Sequence, residues 1–325
     1  MHIDNHGDVI AACRFCFMCR HLDPVGNVTF READTPRGRA LILDRVRMAQ
    51  ERLANPDFID TMYRSALSGA NRQHCVSHYD ETGLVLAARR DIVAAGLAPE
   101  PVKALAHELV RATFAIEGRG SSLYFGDHPR LYPECATLSG GDPGVALEAL
   151  GFAGEAAEVL GRLRGVIAAS GSGTLVVGEP SSYVFLKKRL GGIAVVHCSE
   201  YLLSTAPEAG PARRAVYLES DFLRNYADGM DAPRRLLRRH GYELAPFGTN
   251  AEESHAVGEG AVVFDALQPE LCKRLCRRIR ELADNPAADL FITPSRHAKA
   301  ALRKYHPEMR VVSLEEAVTQ ERSHK

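Results

Sequence analysis

At 325 residues, with 40 Lys plus Arg against 41 Asp plus Glu, the chain carries a formal charge of −1, which argues against a polybasic nucleic-acid face or membrane anchor. A composition of 46% hydrophobic and 25% charged residues excludes global disorder, and 7% aromatics with no Trp argues against a base-stacking platform. The length predicts two or three domains. No run approaches the ~20 apolar residues of a membrane span. The opening residues, Met1 to Val9, are polar and lack the basic start and apolar middle of an export signal. The expectation is therefore a cytoplasmic protein with reduced thiols, no direct membrane span and no nucleic-acid partner.

Taken in chain order, residues 1–108 read as helical. Thr35-Pro36 is a helix start, a hydroxyl cap followed by a residue with no amide hydrogen. Leu41, Ile42, Val46, Ala49 and Leu53 then recur at helical spacing. Asp57–Leu67, Gly83–Ala95 and Val102–Ile116 are further predicted helices. After Gly118 short β-rich runs alternate with helices. The predicted strands are Leu123–Phe125, Gly173–Val177, Ile193–His197, Ala215–Leu218, Ala261–Phe264, Leu290–Ile292 and Arg310–Val312. The predicted helices between them are Pro143–Gly151, Glu155–Ser170, Ser181–Leu190, Pro233–Arg239, Pro269–Asp284 and Ser295–Lys304, with a short helix at the end. Such alternation predicts mostly parallel sheets covered by helices. Strand, Pro-Ser, helix, strand and acid recur in that order from Leu175 and again from Leu290, with Pro180 and Pro294 separated by 114 residues. A duplicated α/β unit accounts for this most simply.

Eight cysteines stand at 13, 16, 19, 75, 135, 198, 272 and 276. Cys13, Cys16 and Cys19 form C-x2-C-x2-C, a spacing that lets one loop supply three corners of an iron–sulfur cube, with a fourth thiolate from elsewhere. Zinc is the competing metal, although its usual sites pair two short hairpins of two ligands each. Two-cluster ferredoxins extend the motif to C-x2-C-x2-C-x3-C-P, in which the fourth Cys crosses to the other cluster. Here Asp23, followed by Pro24, occupies that fourth position. Counting back from Cys75 by the same spacing reaches Ser65, Ser68 and Asn71. One complete ligand set, Cys13, Cys16, Cys19 and Cys75, is therefore present. The other, Ser65, Ser68, Asn71 and Asp23, has no cysteine.

The first hundred residues resemble the helical ferredoxin domain of the iron–sulfur subunits of glycolate oxidase, heterodisulfide reductase and anaerobic glycerol-3-phosphate dehydrogenase. The resemblance rests on Cys13–Cys19, Asp23-Pro24, Thr35-Pro36-Arg37-Gly38-Arg39, and Cys75 with Asp80, Leu84 and Arg89. The remainder is similar to the two cysteine-rich CCG domains of that family. The resemblance implies an α+β multidomain chain: a helical ferredoxin-like domain over 1–108, then degenerate CCG-like α/β units over 109–208 and 209–325. It departs from the family where paired cysteines are expected. Glu179-Pro180-Ser181-Ser182 and Thr293-Pro294-Ser295-Arg296 replace the Cys-Pro motifs, Glu219-Ser220-Asp221 replaces Asp-Pro-Cys, and Gly258 and Gly260 survive without cysteines beside them. A second metal centre in the C-terminal region is therefore not expected.

The function implied is electron transfer through one [4Fe–4S] cluster, from a flavoprotein dehydrogenase subunit acting on a small organic substrate to a quinone-linked or other acceptor. The alternative is a non-redox assembly protein holding structural zinc. No nucleotide-binding or nucleophile-elbow motif is present. Cys135, Cys198, Cys272 and Cys276 read as buried thiols. The pairs His2/His6 and His74/His78 have a ligand-like spacing without the Glu of a zinc protease, and His74 and His78 flank Cys75. His197, His255 and His297 read as surface or hydrogen-bonded residues. Phe15, Phe17 and Met18 are expected to cover the cluster against water. Arg14 and Arg20 are the closest cations by sequence; Arg37 and Arg39 could raise the cluster's potential, but the resemblance favours structural or interface use for them. Glu179, Asp221, Glu253 and His255 are minor candidates for a C-terminal ligand pocket.

Overall fold

The computed structural model describes residues 1–14, 16–205, 212–227, 230–248 and 252–319. The first third is helical, with helices at Gly7–Ala12, Pro24–Thr29, Pro36–Met48, Pro56–Arg64, Asn71–His74, Glu81–Ala94 and Glu100–Leu109. Three of these begin with a side-chain cap and a proline. Asp23 accepts the amides of Val25 and Gly26 at 2.9 Å, Thr35 that of Gly38 at 3.1 Å, and Asn55 that of Asp57 at 2.9 Å. Each cap satisfies an amide that the first helical turn leaves open, and the proline has none to satisfy.

The strands among the described residues are β1 (Phe114–Glu117), β2 (Ser122–Phe125), β3 (Cys135–Gly140), β4 (Thr174–Val177), β5 (Ala194–His197), β6 (Arg213–Tyr217), β7 (Tyr242–Ala245), β8 (Leu290–Thr293) and β9 (Arg310–Ser313). They form a mixed sheet of order β1-β3-β2-β4-β5, antiparallel only at its β1 edge, and a parallel sheet of order β7-β6-β8-β9. The parallel part of the first sheet, β3-β2-β4-β5, follows the same path as the second. The repeated sequence pattern thus corresponds to a repeated topology. The parts match in detail: Glu200 accepts the amide of His197 at the end of β5 (3.3 Å), and Glu316 accepts that of Ser313 at the end of β9 (2.8 Å). Strands such as β4 and β8 are buried along most of their length, as helix-covered parallel strands are.

The fold is mixed α/β, with helices and two sheets, as expected. Five local expectations are corrected. The helix entering the first sheet stops at Leu109, and β1 takes Phe114–Glu117 from the span assigned to it. β3 and β7 were not foreseen, nor was the helix Cys198–Thr205. Ala261–Phe264 is not a strand. It passes from a 3-10 turn, Glu259–Ala261, into a helix, Phe264–Leu267, with Val262 at φ 62°. The cause is packing: Gly260 lies so close to the Leu67 carbonyl oxygen that a Cβ there would collide with it. Tertiary contact overrides the β preference of Val262 and Val263. The expected boundary near residue 208 falls outside the described residues.

One continuous core joins the helical region to both sheets. It runs from Ile3 and Leu43 through Leu84 and Ala88 to Leu147 of the first unit and Cys272, Phe291 and Val311 of the second. The fully buried Arg89 crosses this junction. Its guanidinium donates to the carbonyls of Met62 (2.7 Å), Ser65 (2.9 Å) and Ala149 (2.7 Å). No described helix is long and apolar enough to cross a membrane.

Candidate metal centre

Cys13 ends the helix Gly7–Ala12, and Cys75 ends the short helix Asn71–His74, so two of the four thiols sit where the backbone leaves a helix. Cys13, Cys19 and Cys75 are half-buried, whereas Cys16 is exposed. All eight cysteines are free thiols. The Tyr79 amide donates to the Cys75 sulfur at 3.5 Å. The Tyr79 hydroxyl, its pKa raised by burial and then by Glu81, also feels Cys13 and Cys19. Tyr79 therefore lies within reach of the loop thiols and of the remote one. Burial pushes the Cys19 thiol up to about 11, opposed by a hydrogen bond from the Arg37 backbone.

Among the described residues, no three His, Cys, Asp or Glu side chains are grouped closely enough to hold a metal ion. The four-thiol donor set nonetheless has the chemistry of an iron–sulfur site, and the amides of Arg37 and Tyr79 already point at two of its sulfurs. Hydrogen bonds of this kind to ligand sulfur stabilise the charged form.

The four positions without cysteine are in a different condition. Asp23, Ser65, Ser68 and Asn71 are all buried. Asp23 caps a helix through one oxygen and pairs with Arg39 through the other, and Arg39 also pairs with Glu81 and donates to the Asp34 carbonyl at 2.8 Å. The Asn71 amide donates to the Tyr79 carbonyl at 3.2 Å, while the Ser65 and Ser68 hydroxyls accept local amides at 3.3 and 3.4 Å. Burial alone would penalise such groups, and these bonds offset it. Sequence reasoning identified the four positions but not their new partners, because Arg39, Glu81 and Tyr79 belong to other helices or loops.

The expected cover of the cluster loop is corrected. Phe17 and Met18 are 66% and 54% exposed, and Val76 beside Cys75 is 76% exposed. Phe15 lies outside the described residues. Phe17 stacks under the Arg37 guanidinium, which is 4.1 Å from its ring centre and bonded to Glu32 at 2.6 Å. Arg14 and Arg20, in the same loop, are exposed, as is Arg72, which is 3.9 Å from Asp80. Arg37 is thus near the thiols, while the fully buried Arg39 is structural.

The remaining candidates divide by burial. Cys198, Cys272 and Cys276 are buried as expected, and Cys135 is half-buried. His74 is half-buried and His78 is exposed, in the left-handed region at φ 48°. His197 and His255 are buried rather than superficial. Burial pushes them down to about 3 and about 4, and the His197 ring meets the Ser199 hydroxyl at 2.8 Å. His297 bonds the Val257 carbonyl at 3.2 Å. Glu253 pairs with Arg278 at 2.8 Å. Asp221, pushed up to about 7 by burial, accepts from Ser254 and from the Gly260 amide, and the neighbouring Glu259 accepts from Ser220 and from the Asp221 amide. No family model, curated protein or solved structure matches the chain.

Proposed function

We propose that the chain is a cytoplasmic electron-transfer subunit that holds one [4Fe–4S] cluster on Cys13, Cys16, Cys19 and Cys75. In this reading residues 1–108 are a helical ferredoxin-like domain, followed by degenerate CCG-like units over 109–208 and 209–325. When bound, such a cluster supplies reversible one-electron chemistry. The protein's own part is to supply four thiolates, to aim the amides of Arg37 and Tyr79 at Cys19 and Cys75, and to keep Cys16 near the surface, where electrons can enter and leave.

The observation that carries the reading is the clean separation of two ligand sets. Every position of one is a cysteine, and every position of the other is a non-cysteine, buried and hydrogen-bonded. The exposed Phe17 and Met18, with exposed Arg14 and Arg20 in the same loop, suit transient docking of a redox protein with an apolar centre and an acidic rim. The donor we propose is a flavin-dependent dehydrogenase of a small organic substrate, and the acceptor is a quinone-linked route or another carrier.

Anaerobic purification with metal and sulfide analysis tests this. A brown protein with about four irons and four sulfides per chain, paramagnetic when reduced, supports it. A colourless protein with about one zinc held by the same thiols overturns it in favour of a structural site.

A further inference from the structure

The two sheets present their carboxyl ends to one another. Between them lies a cavity of about 450 Å³ that the four-thiol site does not touch. Its walls come from equivalent places in the two halves: Gly178 and Glu179 follow β4, Pro294 and Arg296 follow β8, and Ser313 ends β9. Both Pro-Ser turns of the sequence repeat therefore meet across one space. Crevices outside the carboxyl ends of parallel strands are the usual ligand sites of such sheets.

Two helices of ten residues each, Pro180–Arg189 and Arg296–Tyr305, begin at this cavity. Their amino ends bring partial positive charge, which favours an anion. Two cations reinforce it. Arg296 is 62% exposed at the mouth, hydrogen-bonded to Asp127 at 3.4 Å and 3.9 Å from Glu179, with the rest of its guanidinium turned to open space. Lys299 lines the wall beside Glu316, 2.6 Å away.

The rest of the lining selects for hydroxyl groups. Ser139, Ser182 and Ser313 offer both donor and acceptor. Glu179 is held by the Arg296 amide at 3.1 Å, an interaction that spans the two halves. Glu315 receives the hydroxyls of Tyr124 (2.8 Å) and Tyr132 (2.6 Å) on one oxygen. A Cβ at Gly178 would stand 3.0 Å from its other oxygen, so glycine keeps that oxygen unobstructed.

We infer that this cleft binds a small hydroxylated organic acid, its carboxylate on Arg296, Lys299 and the helix amino ends and its hydroxyls on Glu179 and the serines. The inference is independent of the cysteines and of whether they hold iron or zinc.

Isothermal titration of the full chain with tartrate tests it, with succinate as the same skeleton lacking hydroxyls and sulfate as charge alone. Saturable tartrate binding is expected, at least tenfold tighter than succinate or sulfate and weakened at least tenfold by Arg296→Ala. Glu179→Gln, of the same shape, is expected to reduce the preference for tartrate over succinate. Absence of saturation at millimolar tartrate, equal affinity for sulfate, or binding indifferent to Arg296→Ala overturns the inference.

Discussion

The buried guanidinium of Arg39 is paired with Asp23, the residue that also caps the helix Pro24–Thr29. One carboxylate thus serves both the helix start and the buried cation. Removing one partner of a buried pair leaves the other charge uncompensated. Asp23→Ala is expected to cost about 3–5 kcal/mol, read by urea denaturation, and Asp23→Cys is expected to be destabilised without gaining a second cluster. Asp23→Cys protein with doubled iron content would contradict this account.

Cys75 and Cys272 should behave oppositely. Cys75→Ser is expected to lose or convert the cluster while secondary structure remains. Cys272 is wholly buried in the core, its sulfur 3.6 Å from the Val257 carbonyl, so Cys272→Ser should leave any bound iron in place and lose about 1–2 kcal/mol of stability. Iron analysis and denaturation of the two variants separate ligand from packing thiol.

The exposed apolar side chains around the cysteines should be dispensable for stability. Phe17→Ser and Met18→Ser are expected to change unfolding free energy by no more than about 0.5 kcal/mol and to leave iron content intact. A large loss of iron in either variant would restore the covering role assigned to them from sequence.

Glu179 gives a pH dependence of definite sign. Burial pushes its carboxyl up to about 7 from the ordinary 4.5. The stability it contributes is fully present below pH 4.5 and is lost as pH rises through 7, because the unfolded chain ionises first. Relative to Glu179→Gln, the wild type should lose on the order of 2 kcal/mol between pH 4.5 and 8. Equal slopes in the two proteins would refute it.

Gly260→Ala is expected to be severely destabilising. Its Cβ would meet the backbone oxygen of Leu67, which no side-chain rotation relieves. Thermal unfolding of this variant beside Gly154→Ala, whose Cβ would enter open space, gives the contrast.

The sequence pattern conveyed most of the α/β rhythm because local signals dominate there. Thr35-Pro36 caps a helix, and Val176 and Ile292 lie in buried strands, as their residue types dictate. β3 was missed because Cys135–Gly140 alternates small and polar residues without a strong apolar run. Ala261–Phe264 was misread because its conformation is imposed by Leu67, far away in the chain. At the candidate site, the spacing of Cys13, Cys16 and Cys19 is visible in one dimension, and Cys75 followed from counting. The burial of Arg39 and the exposure of Phe17 were not legible, since each depends on which helix arrives opposite. The cleft between the sheets was legible only as a repeat, because Arg296 and Glu179 meet through topology alone.

The core that encloses Ile3, Leu43 and Leu84 is completed by Cys272, Phe291 and Val311, which leave the ribosome roughly 190 to 310 residues later. The first helices can therefore complete their packing only once residues 272 to 311 have been made.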